Sequence, residues 1–443
     1  MNIYQITSTE NEKMIKSQLT PAQSANLPGL EATQTHRQTI KGFGGCFNEN
    51  GDICMADLTD EQKGEIYDQL FSDKGCRFSF CRLPIGASDY AEIWYSHNET
   101  SGDYAMDNFS ISRDHKHLIP MIKRAQAINP DIEFFASPWS PPTWMKKPAV
   151  FNGGKLIWTE ENLTAYALYF AKFIQAYQAE GIKISRVFVQ NEPVADQKFP
   201  SCLFSGKEIA DFTKRYLGPT LEKIGVDCQI YFGTINAPTD DFDCSTNGLY
   251  KSGSFAAFIG TAMADPEAKK YIKGVGYQWA GKHAVAQTHA SFPDLDIIQT
   301  ENECGDGRNT YFYAQYMFDM MWHYFTNGTT AYTYWNMALQ PTGKSSWGWQ
   351  QNSMITVDGD QFTYNHEFYL MKHFSAYIDP GAVRLETKGE LSGTALAFKN
   401  PDGRVVFVIS NSMEIDRQVE LTANGQTVLA TLKADSFSTV VFA

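Results

Sequence analysis

Apolar β-rich runs alternate with helical periodicities along most of this chain. Eight runs rich in Val, Ile, Phe and Tyr read as strands: Ile40–Phe47, Cys76–Pro84, Ile132–Ser137, Arg186–Asn191, Cys228–Thr234, Tyr271–Trp279, Leu295–Thr300 and Thr330–Trp335. Between several of them the apolar spacing changes to three and four. Thr59–Leu70 opens with a threonine placed to cap and gathers its apolar residues on one face. Glu160–Ala179 sets Leu163, Ala167, Phe170, Phe173, Ile174 and Tyr177 at helical intervals, and Glu208–Ile224 does the same with Ile209, Phe212, Tyr216 and Leu221. Thr310–Phe325 holds so many Tyr, Phe, Met and Trp residues that burial on most sides is expected. Eight alternating units predict an α/β fold, a (β/α)8 TIM barrel rather than an open sheet.

The rhythm changes near residue 380. Thr394–Asn400, Arg404–Asn411, Arg417–Leu421, Thr427–Leu432 and Phe437–Phe442 show partial period-two alternation, with turn residues such as Asn400-Pro401-Asp402-Gly403 and Asn424-Gly425 between them. They predict a small antiparallel β domain. The first residues do not follow the barrel rhythm and are expected to join that domain, so that the two chain ends meet. The predicted organisation is residues 37–378 as the barrel, with 1–36 and 379–443 together forming a side-attached antiparallel β-sandwich.

Composition narrows the partners. A formal net charge of −13 without a basic cluster argues against nucleic acid and against anionic membrane surfaces. No apolar run is long enough to span a bilayer, and the N-terminal segment lacks a charged region followed by an apolar stretch, so membrane insertion is not expected and a cytoplasmic location is. The eight cysteines form no CxxC pair of zinc-type spacing; they are expected to be reduced, and no metal or organic cofactor is implied. The aromatic share of 14% supplies ring faces of the kind that stack on sugars, beyond those the core uses.

Two strand candidates end in glutamate. Val187–Pro193 carries Asn191-Glu192-Pro193, and Leu295–Glu301 ends in Thr300-Glu301. A carboxylate just past a barrel strand stands at the C-terminal mouth, where such barrels place their chemistry. Two carboxylates at one mouth are the minimum for breaking a glycosidic bond: one attacks or activates, the other protonates the leaving oxygen. The acid needs a raised pKa, which burial and a second carboxylate supply. Asn191 is placed to offer its amide to a sugar hydroxyl beside the reacting centre. Glu303 and Asp306 lie near Glu301 and compete for the nucleophile's role; Glu301 is preferred because the β-branched run ends there, whereas Cys304-Gly305-Asp306-Gly307 reads as loop.

Aromatic and polar residues gather at the same mouth. Ala136–Lys146 follows the third strand, and its prolines stiffen a loop carrying Trp139 and Trp144. Trp139 reads as a sugar-stacking wall, while Trp144 reads equally well as packing against the barrel. Trp335 ends the eighth strand. Asp89 is placed to accept hydrogen bonds from sugar hydroxyls or, alternatively, to cap its own loop.

These motifs resemble glycoside hydrolase family 30, the glucosylceramidase-like retaining β-glycosidases of clan A. The likeness runs through nearly the whole chain, from Gly42-Phe43-Gly44-Gly45 through Ala136–Lys146, Gln190–Pro193 and Thr300-Glu301 to His373-Phe374-Ser375. It implies a barrel with a side-attached β-sandwich. It also implies Glu192 as acid/base, Glu301 as nucleophile and Asn191 as the residue holding the sugar 2-hydroxyl. Asp89, Trp139 and Trp335 match sugar-binding positions, and Trp279 is taken as a further one. The expected substrate is a small β-glycoside or oligosaccharide, a β-glucoside first, with β-xyloside, β-fucoside and β-1,6-linked glucan or galactan left open. A non-catalytic carbohydrate-binding protein is disfavoured because both glutamates and Asn191 are present. The chain departs from the glucosylceramidase pattern at Gln278 and Ala280, where those enzymes carry His and Tyr, in one extra residue between Thr300 and Cys304, and in Trp347–Asn352. Ceramide lipid is therefore not carried over as the substrate.

Overall fold

The computed structural model describes residues 2–236, 255–302 and 304–443. Glu303, the competing nucleophile of the sequence reading, lies outside the described residues.

Eight parallel strands close into a barrel. They are β1 (Gly42–Cys46), β2 (Phe80–Ile85), β3 (Glu133–Pro138), β4 (Ile184–Phe188), β5 (Gln229–Ile235), β6 (Ile272–Gln278), β7 (Asp296–Glu301) and β8 (Ala331–Asn336), with β8 pairing back onto β1. Every predicted run overlaps one of them, but two were misplaced. The run from Cys76 does not pair until Phe80, because Arg77 turns through a left-handed conformation at φ 54°. The fourth strand ends at Phe188, and Asn191 touches β5 only through a single bridge to Thr234. At β1 the neighbouring backbone leaves no space for a side chain: a Cβ on Gly44 would sit 1.9 Å from the Phe80 carbonyl oxygen.

Inside the barrel, Phe80, Phe135, Phe188, Tyr231, Ile298 and Ala331 form one buried apolar layer. Neighbouring rings meet at centroid distances of 5.2 Å (Phe80–Phe135), 5.3 Å (Phe135–Phe188) and 5.0 Å (Phe188–Tyr231). Side chains alternate faces along a strand, so two residues beyond Phe80 and Phe135 the same inward face presents Arg82 and Ser137. An apolar floor thus carries a polar layer towards the mouth.

The predicted helices appear between the strands. Asp60–Phe71 starts from Thr59, whose hydroxyl accepts from the Gln62 amide while the Gln62 side chain accepts from the Thr59 N–H. Glu160–Ala179 is capped by Thr159. The third runs from Gly206 to Ile224 with a π-helical turn at Thr213–Leu217. The fourth, Tyr311–Thr326, is less enclosed than its composition suggested: Phe312 is 74% exposed. This helix lies between the barrel and the second domain, where the Trp322 indole donates to the Ser392 carbonyl and Phe318 stacks on Phe437, and its remaining side faces solvent. Leu118–Ile128, Lys282–Ser291 and His366–Ser375 complete helices that the sequence reading did not delimit.

Nine strands form the second sheet. Their order is Ile15–Leu19, Ile3–Ser8, Ser436–Phe442, Val405–Asn411, Ala395–Lys399, Val383–Lys388, Gly29–Thr39, Arg417–Ala423 and Gln426–Leu432. Ile3 and Phe442 from one end of this order share an apolar cluster with Leu421, Val428 and Ala430 from the other, so the sheet folds over on itself as a sandwich. The first and last strands pair directly, antiparallel, from Ile3↔Phe442 to Ser8↔Phe437. His373 ties this seam to the barrel: its ring nitrogens lie 2.8 Å from the Thr439 hydroxyl and 2.9 Å from that of Ser8. Among the described residues no helix is long and apolar enough to cross a membrane.

Candidate active site

A pocket opens at the C-terminal ends of the barrel strands. Its lining includes Asp89, Trp139, Glu192, Trp279 and Glu301, five of the residues singled out from sequence. Gln197, Phe199, Asn236, Cys304, Trp349 and Gln351 complete it. Two other candidates stand behind this wall. Trp335 stacks on Trp139 with ring centroids 5.5 Å apart, and Asn191 is buried against the Arg82 guanidinium. Trp144 belongs elsewhere: it packs edge-on against Tyr104 and donates its indole N–H to the Asn98 carbonyl. Asp306 is paired with Arg308 at 2.5 Å on the surface.

Arg82 organises the floor of the site. It is fully buried, and its guanidinium fork reaches several partners at once. Nη1 lies 2.6 Å from Glu301 Oε2. Nη2 donates to Asn191 Oδ1 at 2.5 Å and to Ser137 Oγ at 2.9 Å. The guanidinium also sits 4.5 Å from the Trp139 ring and 5.5 Å from that of Trp335, so the two stacked indoles flank a cation as well as each other. The sequence reading missed this residue. Its signal was available: a lone arginine inside an apolar strand must find a countercharge.

Asn191 Oδ1 is further held by the Thr234 hydroxyl and the Gln278 amide, both at 2.8 Å. Three donors on one oxygen fix the orientation of the amide and leave its NH2 to serve something else. Gln278, which departs from the glucosylceramidase pattern, is thus a support for Asn191. Its own Oε1 is buried and meets no donor among the described residues.

The two glutamates differ in their surroundings. Glu192 sits just past β4 with φ +45°, a left-handed conformation uncommon for a residue with a side chain. Its N–H donates to the Thr234 carbonyl at 2.9 Å, and its oxygens accept from Asn236 Nδ2 at 3.0 Å and Gln197 Nε2 at 3.2 Å. Asn236 and Gln197 are loop residues that no motif marked. Glu301 ends β7, with Arg82 on one oxygen and the Cys304 thiol 3.7 Å from the other. Burial raises both carboxyls, Glu301 well above its usual range; the neutral amides and, more weakly, Arg82 oppose this at Glu192, while at Glu301 the Arg82 charge opposes it and the charges of Glu192 and Asp89 add to it. Asp89 is pushed up to about 7, mainly by burial and then by the charge of Glu192. Three carboxyls therefore share one low-dielectric pocket with one guanidinium. Among the described residues no group of three or more His, Cys, Asp or Glu side chains is arranged to hold a metal ion.

Residues 40–378 match the glycosyl hydrolase family 30 TIM-barrel domain, and 381–440 match the family 30 β-sandwich domain. This chain belongs to glycoside hydrolase family 30. It is a glycoside hydrolase with the barrel and sandwich of that family. It is 28% identical over 411 residues to the lysosomal acid glucosylceramidase of Mus musculus, covering 86% of this chain and 76% of that protein. It is 26% identical over 442 residues to the endo-1,6-β-D-glucanase BGN16.3 of Trichoderma harzianum, covering 94% and 86%. The crystal structure of SrfJ from Salmonella typhimurium superposes with a TM-score of 0.89 at 26% identity, over 100% of this chain and 99% of that one. The family 30 relatives named here carry two different substrate names, so membership fixes the class of bond broken and leaves the sugar partner to the residues around the pocket.

Proposed function

We propose that this family 30 enzyme is a retaining β-glycosidase acting on β-glucosides, with Glu301 as nucleophile and Glu192 as acid/base. The observation that carries the assignment is the Arg82 fork. A permanent cation 2.6 Å from Glu301 favours its ionised form, whereas Glu192 receives neutral amides from Asn236 and Gln197. Two buried carboxyls in one pocket resist double ionisation, so a shared proton resides on Glu192. Glu301 then attacks the anomeric carbon while Glu192 protonates the departing oxygen. In the second step Glu192 takes a proton from water, which displaces Glu301 from the sugar. Asn191 offers its NH2 to the 2-hydroxyl, Trp139 gives the ring a stacking face, and Asp89 accepts from a hydroxyl at the rim.

Glucose is the favoured sugar because the names of the glucosylceramidase and the 1,6-β-D-glucanase both point to glucosyl groups. A short β-1,6-linked glucan is the second reading, favoured by the 94% of this chain that aligns with the glucanase. A panel of aryl β-glycosides set against β-1,6-linked oligosaccharides decides between them.

Two variants test the roles. Glu301→Ala should be inactive on every substrate, and azide should rescue it with inverted product. Glu192→Ala should keep first-step activity on activated aryl glycosides, with azide giving retained product. If Glu301→Ala still forms a glycosyl-enzyme while Glu303→Ala does not, the nucleophile is misassigned by two residues.

A further inference from the structure

Lys146 is buried yet lies outside the pocket, and all three of its ammonium donors are used. Nζ donates to the Ser201 carbonyl at 2.6 Å, the Phe151 carbonyl at 2.8 Å and the Ser140 hydroxyl at 2.9 Å. Ser140 follows Trp139 in the loop after β3, whereas Ser201 belongs to the loop after β4. One ammonium therefore staples two mouth loops together. The seam continues from Ser201. Its N–H donates to the Phe151 carbonyl at 3.0 Å, and its hydroxyl accepts from the N–H groups of Gly153 at 2.8 Å and Gln197 at 3.1 Å. Gln197 in turn places its amide 3.2 Å from Glu192 Oε2. The path from Lys146 to the carboxyl is thus unbroken, through Ser201 and Gln197.

We propose that Lys146 is a positioning residue for the acid/base, fixing the Gln197 loop so that the Gln197 amide orients the Glu192 carboxyl towards the leaving oxygen. The proposal rests on the assignment of Glu192 given above. Burying an ammonium is costly and requires full pairing, and an apolar side chain would fill the same space at less cost. What the ammonium adds is a single point to which a serine hydroxyl and two carbonyls from separate loop stretches are all drawn.

A staple that merely stabilised the loops would affect all substrates alike. A staple acting through the general acid matters only where the leaving group needs a proton. The test therefore compares kcat/KM, which reports the first chemical step, for a phenyl and a 2,4-dinitrophenyl β-glycoside. Lys146→Met is expected to lose about 10- to 100-fold on the phenyl glycoside and less than about threefold on the dinitrophenyl glycoside. Gln197→Met, at a partly buried position on the pocket wall, should show the same selectivity and keeps the test decisive if Lys146→Met does not fold. Equal losses on both substrates, or no loss, in the folded variants would overturn the proposal. Glu192→Ala on the same pair separates the two levels: a variant equally impaired on both substrates would refute the acid/base assignment itself.

Discussion

Replacing Arg82 by methionine removes the guanidinium while keeping most of the aliphatic length. In the native protein that group is fully buried, 2.6 Å from the Glu301 carboxylate, which is nearly buried but reaches the pocket. Breaking a buried pair by deleting one partner costs about 3–5 kcal/mol, because the remaining charge is left uncompensated. Glu301 can escape part of this cost by taking a proton. An arginine neighbour holds a carboxyl down, so its loss raises Glu301 further and the proton it then takes up offsets part of that cost. The direction follows from the sign. The nucleophile must be ionised, so the acid limb of kcat/KM moves to higher pH. The destabilisation is largest at high pH, where Glu301 must carry its charge, and shrinks below its raised pKa. Measured on an activated aryl β-glucoside, the limb should move to higher pH. Urea unfolding at both ends of the range should show the smaller stability loss at the acid end. A variant that loses stability while its acid limb stays in place would show that Arg82 is only a structural tie and that the electrostatic distinction between the two glutamates is wrong.

Two further outcomes follow from the fold. Burial pushes His373 down to about 3, so it is neutral in the native seam and takes up a proton on unfolding; the stability this contributes should fall as the pH drops below about 6.5 towards 3, by about 2 kcal/mol between pH 6.5 and 4.5. Urea midpoints across that range should be flatter for His373→Gln, and an unchanged slope would remove His373 as the cause. Gly44→Ala places a methyl 1.9 Å from a backbone oxygen that cannot swing away, so it should cost about 3 kcal/mol or more, and a melting temperature within a degree of wild type would contradict the tight β1–β2 approach.

The barrel was legible because buried parallel strands must be apolar on both faces, a pattern few other structures share. Glu192 and Glu301 were legible because each breaks such a run at its C-terminal end. Arg82 was not, since its partners Glu301 and Asn191 stand on or just past other strands far along the chain, and nothing in the local sequence names them. Gln197 and Asn236 reach Glu192 from loops whose course is set by tertiary contacts, and amide side chains carry no periodic signal. Val383–Lys388 carries the period-two signal, with Val, Leu and Thr alternating with Arg, Glu and Lys, yet it was not read as a strand; it pairs with Gly29–Thr39 and Ala395–Lys399. Trp335 was found by motif, yet its place against the back of Trp139 depends on where two separate strands end.

The seam between Ile3–Ser8 and Ser436–Phe442 sets an order of assembly. On the ribosome the first strand can pair at once with Ile15–Leu19, but its other neighbour, Ser436–Phe442, arrives only after the entire barrel has been made. The barrel, once closed, clamps the roots of both arms, since Ile40 donates to the Ala382 carbonyl at 2.7 Å and Gly381 donates back to Ile40 at 2.8 Å. The loop that remains to be closed shrinks from nearly the whole chain to roughly a hundred residues, which lowers its closure entropy by about 1.3 kcal/mol. The sandwich is then a zipper whose slider is the finished barrel, and a nascent chain halted before residue 436 would hold a half-open sheet with its central edges bare.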